Sequence, residues 1–181
     1  MKERKIMPFD KNFVPALRFA VISDIHIDDE DCIEEQRFAK ALDDLKNLCS
    51  SDERYSGFDA LVIVGDFASR GSEIQMRKVK KILDAGLPAD VRLIMTMASH
   101  EYMTDGEENA LRRFDEIFGL TPDTHAVING FDFIAVTTTR GCHFDDKKRG
   151  FISAELEKAA ERDGKKPMFF FQHPHITDTV Y

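Results

Sequence analysis

At 181 residues, with 43% hydrophobic side chains and fifteen Phe, the chain has the apolar area for one packed domain spanning 1–181, which excludes intrinsic disorder. No apolar run approaches the ~20 residues of a membrane span, and the charged Met1–Lys11 segment lacks a secretory core, so the expected setting is cytoplasmic. A formal net charge of −8 argues against a nucleic-acid binder, and three scattered cysteines (Cys32, Cys49, Cys142) make neither a disulfide framework nor a paired zinc motif.

Leu17–Ser23 reads as a buried strand ending at Asp24. Asp31, with Glu34 three residues on, marks a helix start, and Phe38, Leu42, Leu45 and Cys49 follow at helical spacing. Phe58–Val64 is a second strand, closed by Gly65-Asp66. Ser72 and Gln75 form a capping-box pattern for a helix running through Val79, Ile82 and Leu83 to Gly86. Val91–Met97 is a third strand, and Thr104 with Glu107 opens a helix carrying Leu111, Phe114 and Phe118, ended by Gly119. His125–Ile128 and Phe131–Thr137 flank Asn129-Gly130, a strong hairpin signal because a type I′ turn needs positive φ twice. Ser153–Arg162 is a short helix and Pro167–Gln172 a final strand. The β-α-β-α-β opening predicts an α/β fold with a mixed, mainly parallel sheet, apolar on both faces and covered by flanking helices.

In such sheets ligands bind where strands end and loops begin. Asp24-Ile25-His26, Gly65-Asp66, Ser99-His100-Glu101 and Gln172-His173-Pro174-His175 all stand at such ends, while the Arg140–His143 loop follows a hairpin strand and stands apart. One aspartate or histidine after a strand is commonly a cap or a structural group. Carboxylates and imidazoles delivered to one edge by four strands describe instead a site for a divalent ion. The acidic run Asp28–Asp31 lacks the spacing and glycine of a calcium loop and reads as a solvated lead into the next helix.

Taken together, Asp-x-His, Gly-Asp-x-x-x-Arg-Gly (Gly65 to Gly71), a strand ending in His100-Glu101 and an apolar strand ending in His173 resemble the calcineurin-like metallophosphoesterases, in that family's order, from Leu17 to Tyr181. The resemblance implies an αββα sandwich and a dinuclear centre for divalent Mn, Fe or Zn. Asp24 and His26 would hold the first ion, Asp66 would bridge, and His173 would hold the second, with His175 as the alternative. His100 would act on the leaving group or the phosphate. The implied reaction is hydrolysis of a phosphomonoester or phosphodiester, two ions clamping the phosphoryl group and lowering the pKa of water toward roughly 7.

Two departures from the family pattern stand out. Ala98-Ser99 replaces its Gly-Asn pair, so Ser99 is a weaker metal ligand than the amide, and Ala98 predicts strain in a tight loop. No Gly-His-x-His segment occurs within the 181 residues, so the chain reads as the N-terminal portion of such a catalytic domain, an incomplete sandwich whose uncovered surface predicts a homo-oligomer. The sequence expectation is therefore an impaired phosphoesterase acting on a phosphate-ester small molecule. Its alternative is a metal-binding or interaction module that keeps the fold without turnover.

Overall fold

A computed structural model describes residues 12–138, 144–162 and 166–175; Arg140, Cys142 and His143 lie outside the described residues. In chain order the elements are β1 (Phe19–Ile22), α1 (Ile33–Ser50), β2 (Ala60–Val64), α2 (Glu73–Gly86), β3 (Arg92–Thr96), a 3₁₀ turn (His100–Tyr102), α3 (Glu107–Phe118), β4 (Thr124–Ile128), β5 (Phe131–Ala135), α4 (Asp146–Glu161) and β6 (Met168–Phe171). The fold is mixed α/β, with a parallel sheet and flanking helices. Among the described residues no helix is long and apolar enough to cross a membrane.

There are two three-stranded sheets, ordered β1-β2-β3 and β4-β5-β6, in keeping with the expected sandwich. The first is wholly parallel; in the second, β4 and β5 run antiparallel and β5 and β6 parallel. Strand β2 is buried along its whole length, and its alternating side chains enter two different cores. Leu61 and Ile63 join Phe38, Leu42, Met76, Val79 and Phe114 from the helices. Ala60, Val62 and Val64 meet Phe133, Ala135, Phe169 and Phe171 from the second sheet. The second face is thus covered by a sheet, as an αββα sandwich requires; the apolar residues on both faces of the strands fit helices equally well and do not by themselves say which element covers each.

Aromatic packing fixes where the second sheet sits. Phe19 packs edge-on against Phe133 and Phe169, at 5.0 and 4.8 Å between ring centres, and Phe133 stacks on Phe171 at 5.7 Å. Each such contact contributes about 0.5–1.5 kcal/mol beyond simple burial. Where the strands end, Thr137 Oγ1 accepts the Met97 N–H at 3.0 Å and ties the two sheets together. The chain leaving β6 is thereby delivered beside the loops that follow β2 and β3.

The local signals were realised unevenly. Ser72 and Gln75 form the reciprocal capping box of α2, and Gly119 closes α3 at φ 62°. Asn129 and Gly130 take φ values of 52° and 79°, as the hairpin turn requires. Three helix starts differ from the sequence reading. α1 begins after Cys32 and not Asp31; α3 begins after Gly106, while the Thr104 hydroxyl donates to the Arg70 carbonyl at 2.7 Å. α4 begins at Asp146, seven residues before Ser153, because the Asp145 side chain accepts the Lys148 N–H at 2.8 Å and caps it there.

Candidate metal centre

Beyond the ends of β1 and β2 the two loops stay zipped. The N–H groups of His26 and Ile27 donate to the carbonyls of Asp66 and Phe67, each at 3.0 Å, and Ser69 N–H returns a bond to Ile27 at 2.9 Å. Within this ribbon Asp24, His26 and Asp66 take φ values of 56°, 52° and 51°. The left-handed region costs a side-chain-bearing residue about 1–2 kcal/mol, and three such residues within two adjoining loops mark a site where geometry has been set against local preference.

Gly65, at φ 70°, enables the Asp66 turn: a Cβ there would lie 2.6 Å from Ala98 Cβ and 3.3 Å from His173 Nδ1. The strain expected at Ala98 is absent, since Ala98 does not adopt positive φ. Its buried methyl group packs against the glycine across the loop, so the constraint falls on Gly65.

Asp66 is the hub. One ligand-type atom from each of His26, Asp66 and His100 lies within 4.8 Å of the others, and the same holds for Asp24, Asp66 and His173. Oδ1 of Asp66 accepts the backbone N–H of His100 at 3.2 Å, while Oδ2 faces His173 Nε2 at 3.2 Å. The His26 and His100 rings meet edge to face at 4.5 Å. Asp66 and His173 are largely shielded, with side chains 8% and 20% exposed, whereas Asp24 is open at 57%.

The histidine tautomers decide what this arrangement can hold. His173 Nδ1 lies 2.7 Å from the Val64 carbonyl and His100 Nδ1 lies 2.7 Å from the Ser69 carbonyl. A carbonyl only accepts, so both Nδ1 atoms carry hydrogen, and in a neutral ring each Nε2 is left as a lone pair. The His173 lone pair then points at a carboxylate oxygen, an arrangement that needs a second proton or a cation between them. A ring fixed through Nδ1 to a carbonyl, with Nε2 turned to a shared carboxylate, is how proteins orient histidine for a divalent ion. The donor set fits such an ion.

Other sequence-selected residues sit as follows. Ser99 is exposed at the head of the 3₁₀ turn and its side chain makes no cap there. His175 is exposed and belongs to neither ligand cluster. Arg70 is exposed, its backbone held by Gln75 and Thr104. Asp28 and Asp29 accept from the Gln75 side chain at 3.3 and 3.2 Å, which ties the acidic loop to α2. A groove of about 600 Å³ opens beside Asp24 and His26, floored by Phe38 and edged by Asp28, Arg37 and Ser69. A larger cleft, about 880 Å³, lies at the opposite edge by Asp59, Asp90, Arg92 and Asn129; it holds none of the converging ligands and is not the site of this chemistry.

Sequence reasoning gave Glu101 no role of its own. It is fully buried and its carboxylate accepts three backbone N–H groups, from Asp66, Ala68 and Ala98, at 2.8–3.0 Å. Burial pushes the Glu101 carboxyl up to about 7, against the pull of those donors and with a further push from the Asp66 charge. Its position directly after His100 was the available signal.

The family profile of calcineurin-like phosphoesterases matches residues 17–176. Among curated proteins there is no significant match. With carboxylates and imidazoles gathered at its strand ends and its two-sheet core, the chain belongs to the calcineurin-like phosphoesterase family.

Proposed function

We propose that this protein is a metal-dependent hydrolase of phosphomonoesters or phosphodiesters, built on Asp24, His26, Asp66 and His173. The observation that carries this reading is the Asp66 carboxylate, which belongs to two ligand clusters at once and turns one oxygen to His173 Nε2 at 3.2 Å. By the family pattern Asp24, His26 and Asp66 would make the stronger set, whereas the structure draws His26 and Asp66 together with His100, and Asp24 and Asp66 together with His173. Asp66 and His173, with only the Ser99 hydroxyl where the family has an amide, would make a weaker set. Bound Mn, Fe or Zn ions supply positive charge for the phosphoryl oxygens and acidify a water.

The remaining work falls to the chain itself. Val64 and Ser69 carbonyls hold His173 and His100 in fixed tautomers, so neither ring has to reorient during turnover. With Nδ1 committed to Ser69, His100 carries any second proton on Nε2 and from there gives it to the departing alkoxide, which leaves as the alcohol. The groove beside Asp24 offers Phe38 for apolar contact and Arg37 for an anionic group of the ester, matching a small phosphate ester.

Ser99 favours a second reading, a metal-binding module that keeps the fold but not turnover. One experiment separates the two: metal content, and hydrolysis of an aryl phosphate and an aryl phosphodiester, for the given chain and for His100→Gln and Ser99→Asn. The hydrolase reading expects one tightly and one weakly held Mn²⁺, slow turnover abolished by chelation, and a roughly 10²–10⁴-fold fall for His100→Gln at unchanged metal loading. Ser99→Asn should raise occupancy of the weak position. A fully loaded chain that hydrolyses neither ester belongs to the second reading.

A further inference from the structure

We infer that Glu101 is the positioning residue of the metal centre, holding the Asp66 turn in the one backbone conformation that lets its carboxylate face both ligand clusters. This rests on the metal-site reading above. Glu101 Oε2 takes the N–H groups of Asp66 at 2.9 Å and Ala98 at 2.8 Å, and Oε1 takes that of Ala68 at 3.0 Å. These three donors come from the loops after β2 and β3, and Asp66 and Ala98 are buried along with Glu101. Without the carboxylate they would be orphaned in the interior, and the Gly65-Asp66 pair, at φ 70° and 51°, would lose its main reason to stay in the left-handed region.

Two further contacts make the arrangement specific. Gly71 backs directly onto Glu101, since a Cβ there would lie 2.0 Å from the Glu101 carbonyl oxygen. The residue before Glu101 then places its own N–H, that of His100, on Asp66 Oδ1 at 3.2 Å. Glu101 thus fixes the backbone of Asp66 while its neighbour fixes the side chain. The job requires an acceptor-only group: a glutamine of the same shape can keep two of the three bonds, but its NH₂ must then confront the third N–H.

The test is Mn²⁺ binding, read by titration and by the electron paramagnetic resonance spectrum of the bound ion, in the given chain, in Glu101→Gln and in Val79→Ala. Val79 is a buried α2 side chain outside these loops, so its truncation reports loss of stability alone. Glu101→Gln should bind Mn²⁺ about 10–100-fold more weakly, with an altered spectrum, whereas Val79→Ala should leave both unchanged. Unchanged affinity and spectrum in Glu101→Gln, or an equal loss in Val79→Ala, overturns the inference while leaving the metal site standing. A parent chain that takes up no Mn²⁺ overturns both. Should Glu101→Gln fail to fold, amide exchange in the parent chain decides: the N–H groups of Asp66, Ala68 and Ala98 should exchange as slowly as those of β2, and exchange at loop rates refutes the role.

Discussion

Among the described residues two clusters pair histidine with carboxylates, and they are built to opposite ends. In the second sheet, His125 lies between Glu155 and Asp132, each ring nitrogen 2.7 Å from a carboxylate oxygen. Arg162 then reaches Asp132 at 3.1 Å and Lys158 reaches Glu155 at 2.6 Å, so each carboxylate also has a cation beside it. This network is closed and pins α4 to the sheet. At the edge of the first sheet the Nδ1 atoms of His173 and His100 are consumed by carbonyls, His173 Nε2 faces Asp66 at 3.2 Å, and that contact calls for a proton or a cation between them. Residue types are the same in both places; the difference lies in where the donors come from. A histidine tied to backbone carbonyls is being aimed, and a histidine tied to carboxylates is being held in a closed structural network.

Substitutions can break this contrast from either side. The largest effect on stability should come from the aimed cluster. Gly71→Ala drives a methyl group into the Glu101 carbonyl at a residue with φ 71°, and should lower unfolding stability by about 3 kcal/mol in denaturant titration and weaken Mn²⁺ binding as well. In the closed network, His125→Gln should cost about 2 kcal/mol, less than a bare buried pair would lose because Arg162 and Lys158 remain, and should leave Mn²⁺ affinity untouched. A change in metal affinity for His125→Gln would erase the distinction between the two clusters.

The smallest effect concerns acid. Lys158 and then His125 hold the Glu155 carboxyl below its usual range. The native state therefore binds fewer protons there than the unfolded chain. That contribution to stability is present above the ordinary glutamate pKa, about 4.3, and is lost as pH falls through the depressed native value. Thermal unfolding of Glu155→Gln should be less acid-sensitive than that of the parent below that pH; equal sensitivity would show that Glu155 contributes nothing there.

Much of this was legible in the order of residues. Asp24, His26, Asp66, His100 and His173 were identifiable because a polar residue directly after an apolar strand has few places to go in a parallel sheet except its ligand edge. The Ser72 box and the Asn129-Gly130 turn were legible for a similar reason: their chemistry is local. Other features depend on partners distant in sequence. Nothing in FDALVIV says that Val62 faces phenylalanines while Leu61 faces helices. The cap at Asp145 went unseen because the Ser153 segment offered a more regular helical pattern. Glu101 looks like any surface glutamate until three backbone donors from other loops close on it. The positive φ values of Asp24 and His26 likewise arise from loops zipped across two strands, which no single segment encodes.

The central claim is that Asp66 serves two ligand sets through one carboxylate, and calorimetric titration of the apo chain and of Asp66→Asn with Mn²⁺ tests it most directly. The amide keeps the size of the side chain and the acceptor for the His100 N–H, but not the charge or the second acceptor. The parent chain should bind Mn²⁺, and Asp66→Asn should lose affinity at both positions together, by more than the ~100-fold upper range of an outer-shell change. Undiminished Mn²⁺ binding in a folded Asp66→Asn protein, or loss at one position alone, would contradict the shared-ligand geometry.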